Sequence, residues 1–276
     1  MMSENKKQKI PCSVGLLTLN SGAYLESALE SLKDFEDVFL LDGNSTDNTL
    51  DIAKEFGIPV YKQVETEEKN IKISNFTQMR EKTLELSKCE WVFFCDSDEV
   101  VELSLVEEVR EVVKQNLNVG YNIQKKYLVK DKKIEHCFNY PNYYLRLYPK
   151  RSGIHFRPGK IVHEQMTIPK EIEVKNLVGA VYSRYPDTYK ECVEKDKYYV
   201  ELAKRNMFPE QGRQFPRWMS ARNAVRYFLR AGNIFYKTLK TYVKYGYKDS
   251  LPFLHALRHI RYHLIVSLLC IKQIFV

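Results

Sequence analysis

The sequence lacks the features that mark several classes of protein. Its six cysteines include no Cys-x-x-Cys pair, and no His/Cys spacing typical of a zinc site is present. Six cysteines in 276 residues are too sparse for the disulfide framework of a small secreted domain. We therefore expect reduced, mostly buried thiols. Internal repeats and low-complexity linkers are also absent, which excludes a repeat array.

Long apolar runs are missing as well. Residues 1–9 are polar and lysine-rich and precede no apolar stretch of signal-peptide length, so we expect the chain to begin in the cytoplasm. Residues 251–276 are apolar, but their longest stretch without Asp, Glu, Lys or Arg is only Tyr262–Ile271. That is half of the about 20 residues that cross a bilayer. An amphipathic helix in the membrane interface and a helix packed on the catalytic domain or on another subunit both fit this segment.

The net charge of +8 is unevenly distributed. Residues 184–276 contain 18 Lys and Arg against 7 Asp and Glu, whereas residues 1–183 contain 25 against 28. A basic C-terminal region suits anionic lipid, nucleic acid or a phosphorylated acceptor, although solvated basic helices without a partner have the same composition. Residues 213–244 interleave Lys and Arg with aromatic residues. We favour a membrane surface, at the inner face of the cytoplasmic membrane, and expect no nucleic acid.

Strand and helix patterns alternate in the first half of the chain. The apolar runs 12–17, 38–41, 58–61 and 91–95 predict strands, and helical spacing follows in 24–32, 50–56 and 76–86. A further helix is predicted after Glu102, ending at about Gln115. Such alternation is typical of an α/β fold with a mostly parallel sheet between helices. We expect a domain at 1–183 with irregular strands after 119, and a helical, basic and amphipathic region at 184–276.

Polar clusters follow three of these predicted strands. They begin at Asn20, Asp42 and Asp96. Because ligands of open α/β sheets bind beyond the carboxyl ends of the strands, the three clusters are expected to meet at one edge. Any one of them alone would be an ordinary polar turn.

The sequence Asp96-Ser97-Asp98 places two carboxylates at the end of a buried strand. Both can reach a hard cation such as Mg²⁺ or Mn²⁺, which would bind diphosphate oxygens and neutralise a leaving nucleoside diphosphate. An Asp-x-Asp pair also occurs by chance, and Asp is a common helix N-cap.

These motifs resemble those of family 2 glycosyltransferases of the GT-A fold. The most specific stretch is Asp42-Gly43-Asn44-Ser45-Thr46-Asp47-Asn48-Thr49, which is similar to the family signature Asp-(Asp/Ser)-Gly-Ser-Thr-Asp-(Gly/Asn)-Thr. The resemblance covers about residues 12–165. Arg146-Leu147-Tyr148 and Val162-His163-Glu164 resemble the branch that contains lipopolysaccharide-core glucosyltransferases.

The resemblance implies roles for individual residues. Asn20, Asp42, Arg80 and Asp96 would contact a nucleotide-sugar donor, with UDP as the nucleotide, and Asp98 with Asp96 would hold Mg²⁺ or Mn²⁺. Three positions depart from the family pattern: Asn20 is followed by Ser21 instead of Glu, Asn44 is read as an extra residue between Gly43 and Ser45, and Arg80 is followed by Glu81 instead of Asn.

An inverting transfer needs a base for the acceptor hydroxyl. Glu164 is the candidate, with His163 orienting it or assisting the diphosphate, and Glu99 is the second choice. A turn Glu beside a hydrogen-bonded His would look the same in sequence. Arg146, Arg157 and Lys160 are candidates to bind the diphosphate or a phosphorylated acceptor, or they are solvated charges.

The leading hypothesis is a metal-dependent, inverting glycosyltransferase that acts on a cell-surface glycan or lipid-linked acceptor such as lipopolysaccharide core. A nucleotidyltransferase is an alternative, but it predicts a Gly-rich, basic phosphate loop that residues 18–22 do not supply. The other alternative is a non-catalytic membrane or nucleic-acid binding module on a degenerate GT-A scaffold.

Overall fold

The computed structural model describes residues 8–157, 166–207 and 216–275. The chain divides into two compact units. The first unit ends at Ser183 but omits residues 127–140, which cluster with residues 184–276 in the second unit. The domain predicted at 1–183 includes residues 127–140. Apolar side chains of this segment pack instead with Tyr185, Cys192 and Leu251 of the second unit.

The first unit begins with alternating strands and helices. They are β1 (Ile10–Thr18), α1 (Gly22–Ser31), β2 (Phe35–Asp42), α2 (Thr49–Glu55), β3 (Val60–Lys62), α3 (Phe76–Leu86) and β4 (Trp91–Phe93). Strand β1 pairs in parallel with β2 and β4, and β2 pairs in parallel with β3. The carboxyl ends of these strands therefore lie at one edge of the sheet, as predicted from the polar clusters.

The strands after β4 complete this sheet and add a separate two-stranded sheet. The elements that follow β4 are β5 (Glu99–Val101), α4 (Leu103–Gln115), β6 (Gly120–Val129), β7 (Lys132–Ile134), β8 (Tyr143–Pro149), a 3₁₀ turn (Lys150–Ser152), β9 (His155–Phe156), β10 (Met166–Thr167) and β11 (Val174–Arg184). Among them, β7 and the end of β6 belong to the second unit, and β9 and β10 form the separate two-stranded sheet. The strand order is β3-β2-β1-β4-β8-β6-β11-β5. Strand β8 is antiparallel to both β4 and β6, and β11 is antiparallel to β5.

A continuous apolar core lies beneath the parallel strands. Residues of β1 and β2, such as Leu16 and Leu40, pack in one cluster with Leu25 of α1 and Val109 of α4. The strands are apolar on both faces because helices cover both, which is the pattern of a parallel sheet. The α/β class with parallel strands and flanking helices is thus confirmed. Each antiparallel pair that the structure describes in this sheet includes a strand from residues 120–184, for which no order was predicted.

The second unit is mainly helical. It contains α5 (Tyr189–Met207), α6 (Arg217–Tyr245) and α7 (Phe253–Phe275), and residues Tyr127–Val129 pair with β7 to form a hairpin. Six thiols of the whole chain are free, and five of them are buried, as expected from the cysteine pattern. Among the described residues, no helix combines the length and the apolar character that crossing a membrane requires.

Candidate functional site

The carboxylate of Asp42 organises the loop that follows β2. It is buried and accepts hydrogen bonds from the Thr18 hydroxyl (2.8 Å) and from the Ser45 backbone N–H (2.8 Å) and hydroxyl (2.6 Å). The neighbouring Gln63 side chain donates to the carbonyls of Thr18 and Leu41 (3.1 and 3.0 Å). These bonds fix the ends of β1 and β2 to each other and give this edge of the sheet a defined shape.

Asn20 ties the loop after β1 to the loop after β2. Its backbone is left-handed (φ +49°), a conformation that Asn tolerates better than most residues. Its side chain accepts from the Thr46 N–H (2.9 Å) and donates to Asn70 (2.8 Å), while its own N–H donates to the Ser45 hydroxyl (2.8 Å). In this structure, Asn20 shapes the predicted donor site by holding its walls together.

The signature loop contains no inserted residue, so the reading of Asn44 as an extra residue is wrong. Asp42 to Asp47 and the family signature Asp-(Asp/Ser)-Gly-Ser-Thr-Asp both contain six residues, and Asn44 stands where the signature has Gly. Asn44 has φ +56°, and its side chain donates to the carbonyls of Thr66 (2.8 Å) and Glu68 (2.6 Å). Asn replaces Gly there because it too adopts the left-handed conformation.

The Asp-x-Asp motif forms a tight turn between β4 and β5. The Glu99 N–H donates to the Asp96 carbonyl (3.0 Å), and the Asp96 N–H donates back to the Glu99 carboxylate (3.0 Å). Ser97 in this turn is hydrogen-bonded through its hydroxyl to the hydroxyl of Ser21 (3.0 Å). The third strand-end loop is thereby joined to the loop after β1, so the structure brings the clusters at residues 20, 42 and 96 together.

Five charged side chains form a network beside this turn. Arg80 of α3 bonds to Asp96, and the Lys125 ammonium lies 3.8 Å from Asp96 and 2.8 Å from Glu99. Arg146 of β8 makes a two-pronged bond to Glu99, at 2.5 and 2.9 Å. Asp98 on the same turn adds a third carboxylate, so the three cations are balanced in number by three acidic side chains.

The two carboxylates have different surroundings. Glu99 is fully buried between Arg146 and Lys125, whereas 38% of the Asp96 side chain is exposed. Burial would raise the pKa of Asp96, but the positive charges of Arg80, Arg146 and Lys125 outweigh it and hold this pKa well below its usual range. Asp96 is therefore ionised at neutral pH. Glu99, the second-choice base, serves here as the buried partner of two cations.

The structure describes only some of the predicted catalytic and phosphate-binding residues. Glu164, His163 and Lys160 lie outside the described residues. Arg157 is exposed just after β9. Arg146 is buried, and besides its bonds to Glu99 it donates to the Phe94 carbonyl (3.1 Å), so in this structure it supports the Asp-x-Asp turn.

The Asp-x-Asp turn is the predicted site for a divalent cation. Within the described ranges, no three His, Cys, Asp or Glu side chains are grouped so that they could hold a metal ion. Mg²⁺ sites of this kind use one or two carboxylates together with substrate phosphates. Asp98 supplies such a carboxylate on the turn. Asp96, the other predicted ligand, has one oxygen on Arg80 and the other facing Lys125.

Sequence reasoning missed Lys125, Gln63 and Asn70. Lys125 belongs to a strand whose position in the sheet is set by pairing with β8, which is distant in sequence. Gln63 follows the edge strand β3 and has no motif around it. For Lys125 the available signal was a charged residue within a predicted strand region, and that signal does not identify its partner. Gln63 and Asn70 lie outside the strands and gave no such signal.

The chain resembles known glycosyltransferases in sequence. An uncharacterized glycosyltransferase of Rickettsia typhi is 24% identical over 255 residues, which cover 88% of this chain and 83% of the relative. Among solved structures, S. aureus TarS 1–349 in complex with UDP-GlcNAc has 17% identity and a TM-score of 0.47, and the match covers 93% of this chain and 90% of that one. Against a longer TarS chain, the match spans 54% of that chain's length.

A second solved structure matches part of the chain. Glucosyl-3-phosphoglycerate synthase from Mycobacterium tuberculosis, in complex with Mn²⁺ and UDP-glucose, has 21% identity and a TM-score of 0.33, and the match covers 44% of each chain. The profile of the family described as Glycosyl transferase family 2 matches residues 13–163, which include most of β1, the loops at Asn20 and Asp42, and the Asp96–Glu99 turn. More than half of the chain is matched, and the protein therefore belongs to glycosyl transferase family 2.

Proposed function

We propose that this protein is an inverting, metal-dependent glycosyltransferase that transfers a sugar from a UDP-sugar to a cell-surface glycan or lipid-linked acceptor such as lipopolysaccharide core. The observation that carries the proposal is the junction of three polar loops at the carboxyl ends of the parallel strands, next to a network of charged side chains. Family membership supplies the reaction class.

The donor side of the reaction uses the strand-end loops. The loops at Asn20 and Asp42 form the walls for the nucleoside, and Arg80 and Lys125 place positive charge toward the diphosphate while they hold Asp96 in position. Asp98, with Asp96 beside it, would hold Mg²⁺ or Mn²⁺. The bound ion would neutralise negative charge on the departing nucleoside diphosphate.

The acceptor side is proposed from the sequence. Glu164 takes the proton from the acceptor hydroxyl as its oxygen attacks the anomeric carbon from the face opposite the diphosphate, and His163 orients Glu164. Arg157 and Lys160 are the cations proposed to bind an anionic acceptor, whereas Arg146 acts through Glu99. The basic second unit suits work at the cytoplasmic face of a membrane, where lipid-linked acceptors are found.

The first test is thermal stabilisation by nucleotides. We expect UDP and one UDP-sugar to raise the melting temperature in Mn²⁺ or Mg²⁺, and EDTA to remove the shift. Ligand at 100 times its Kd stabilises the folded state by about 2.7 kcal/mol. Other nucleoside diphosphates are the matched controls. Folded protein that no nucleotide stabilises would contradict the proposal and favour a scaffold without donor binding.

Two substitutions separate the proposed roles. Asp98→Ala should abolish metal-dependent stabilisation and transfer, and Asp51→Ala on the exposed face of α2 is the matched control. Glu164→Gln should keep donor stabilisation but lose turnover, because the amide cannot accept the proton. Full turnover in Glu164→Gln, or unchanged metal-dependent binding in Asp98→Ala, would show that these residues have other functions.

A further inference from the structure

Helix α6 carries its small side chains inside and its large apolar side chains outside. Its buried positions are Ser220, Ala224, Ala231 and Thr238. By contrast, Trp218, Phe228, Leu229 and Tyr236 are each between 61% and 63% exposed. A helix that packs on a soluble core normally has the opposite arrangement, and exposed apolar stripes of this kind mark interaction surfaces.

The inner face of α6 is already fixed by α7. The Ser220 hydroxyl donates to the side-chain oxygen of Gln273 (2.9 Å), and the Ser267 hydroxyl donates to the Ala224 carbonyl (2.8 Å). Ala224 also packs in a buried cluster with Val266 and Cys270. The exposed apolar side chains are therefore not needed for the core of the second unit.

Helical spacing divides the outer face of α6 into two adjacent stripes. At 3.6 residues per turn, the apolar set spans roughly 100° of the helix and the basic set roughly the next 80°. The apolar stripe consists of Trp218, Val225, Phe228, Leu229, Tyr236, Leu239 and Val243. The basic stripe consists of Arg222, Arg226, Arg230, Lys237, Lys240 and Lys244.

The charged side chains of α6 and the residues after it are almost all positive. Helix α6 contains seven Lys and Arg and no Asp or Glu, and residues 216–276 contain eleven Lys and Arg with Asp249 as their single acidic residue. Exposed helices that merely stay soluble usually mix both signs, because opposite charges three or four residues apart stabilise them. The absence of acidic residues indicates a partner with dense negative charge.

We infer that the outer face of α6 docks on an anionic bilayer surface, with the apolar stripe in the headgroup region and the basic stripe on lipid phosphates. This inference rests on the proposed function, since it supplies the membrane site for a lipid-linked acceptor. The Arg222 guanidinium lies over the Trp218 ring (5.3 Å), which places charged and amphipathic groups side by side, as at a membrane interface. Aliphatic Val225, Leu229 and Leu239 suit acyl chains and have no ring on which a nucleic-acid base could stack.

The test uses full-length protein and vesicles. We expect the protein to sediment with vesicles of phosphatidylcholine mixed with phosphatidylglycerol, to bind phosphatidylcholine alone weakly, and to be released by high salt. The triple variant Arg222→Gln/Arg226→Gln/Lys240→Gln should bind the mixed vesicles roughly a hundredfold more weakly, since each basic residue near an anionic surface adds about 1 kcal/mol. Lys54→Gln/Lys114→Gln/Lys170→Gln removes three exposed charges from the first unit and is the matched control.

The apolar stripe has its own variant and reporter. Leu229→Ser/Tyr236→Ser should also lose vesicle binding, whereas Leu103→Ser/Val178→Ser, at exposed apolar positions of the first unit, should not. The chain has two tryptophans, and Trp91 is buried in the first unit. A shift of tryptophan emission to shorter wavelength on vesicle addition should therefore come from Trp218 and vanish in Trp218→Phe.

Three outcomes would overturn the inference: equal binding to neutral vesicles, unchanged binding in both stripe variants, or a stable dimer that Leu229→Ser/Tyr236→Ser converts to a monomer without any effect on vesicles. Nucleotide-sugar stabilisation, measured in parallel, separates the two proposals. If stabilisation persists while vesicle binding is absent, only the docking surface is wrong. If vesicle binding occurs without any donor stabilisation, only the proposed reaction is wrong.

Discussion

Glu99 is the residue on which the charge network at the candidate site depends. It is fully buried and bonds to both Arg146 and Lys125. Glu99→Gln keeps the shape but leaves the buried Arg146 and the partly buried Lys125 without this counter-charge, and breaking a buried ion pair in this way typically costs about 3–5 kcal/mol. We expect a loss of unfolding free energy in this range, measured by urea denaturation.

The matched control for that measurement is Glu85→Gln on the exposed side of α3. Surface substitutions away from such networks change stability by about 0.5 kcal/mol or less. Equal stability of the Glu99 and Glu85 variants would mean that the network is dispensable for folding.

Asp96 gives the site a defined acid response. Because Arg80, Arg146 and Lys125 hold its folded-state pKa below the unfolded value, its contribution to stability is present at neutral pH and is lost as the pH falls. We expect Asp96→Asn to be less stable than wild type at neutral pH, with a difference that shrinks below about pH 4, near the unfolded pKa of Asp. Denaturation curves across this range measure it. A difference that stays constant with pH would show that packing, not charge, accounts for the effect.

At the scale of elements, replacing two different glycines by Ala should have opposite effects on stability. A Cβ at Gly43 would lie 2.5 Å from the Ile71 carbonyl oxygen, so the loop after β2 requires Gly there. Gly43→Ala should destabilise the protein by about 1–3 kcal/mol and weaken donor binding.

Gly232 lies inside α6 with nothing within 4 Å of an added Cβ. Gly232→Ala should instead stabilise by about 0.5–1 kcal/mol. Thermal melts of both variants check the contrast.

Elements with a strong local signal were predictable from sequence. Helices α3 and α4 have the predicted bounds, because apolar periodicity and, for α3, the Asn75 cap act locally. The loop after β2 was recognised from its motif, although its length was misread at Asn44. Lys125 was not recognised, because its partners are set by the pairing of β6 with β8, and long-range register has no signature in a single strand.

At the scale of the whole molecule, the second unit should be the acid-sensitive one. His259 lies in α7, where its ring is 2.6 Å from the Tyr185 hydroxyl, and burial together with Arg258, His263 and His255 lowers its pKa from 6.5 to about 4. Between these values the unfolded chain binds more protons than the folded one, so the stability of the second unit falls as the pH drops from 6.5 toward 4. The loss from His259 alone is at most about 3 kcal/mol.

This acid response can be assigned to its unit. Hydrogen exchange followed by mass spectrometry at about pH 7 and about pH 5, corrected for intrinsic rates, reads the peptides of each unit separately. We expect protection to decrease in α7 more than in the β1–β4 region, and His259→Gln to reduce the difference. Uniform loss of protection in both units would contradict the assignment.

The second unit is assembled from two distant parts of the chain, and this has a consequence for synthesis. Val129, Ile134 and Cys137 leave the ribosome well before Cys192 and Leu251, which cover them. Synthesis adds about 5–20 residues per second, so the apolar side chains of the hairpin stay exposed for on the order of ten seconds before the residues that pack on them are made. A chain ending at Ser183 would expose it permanently and should aggregate. The Lys125 N–H donates to the Asn142 carbonyl (2.9 Å), so a short turn that replaces the hairpin should release the first unit as a soluble protein.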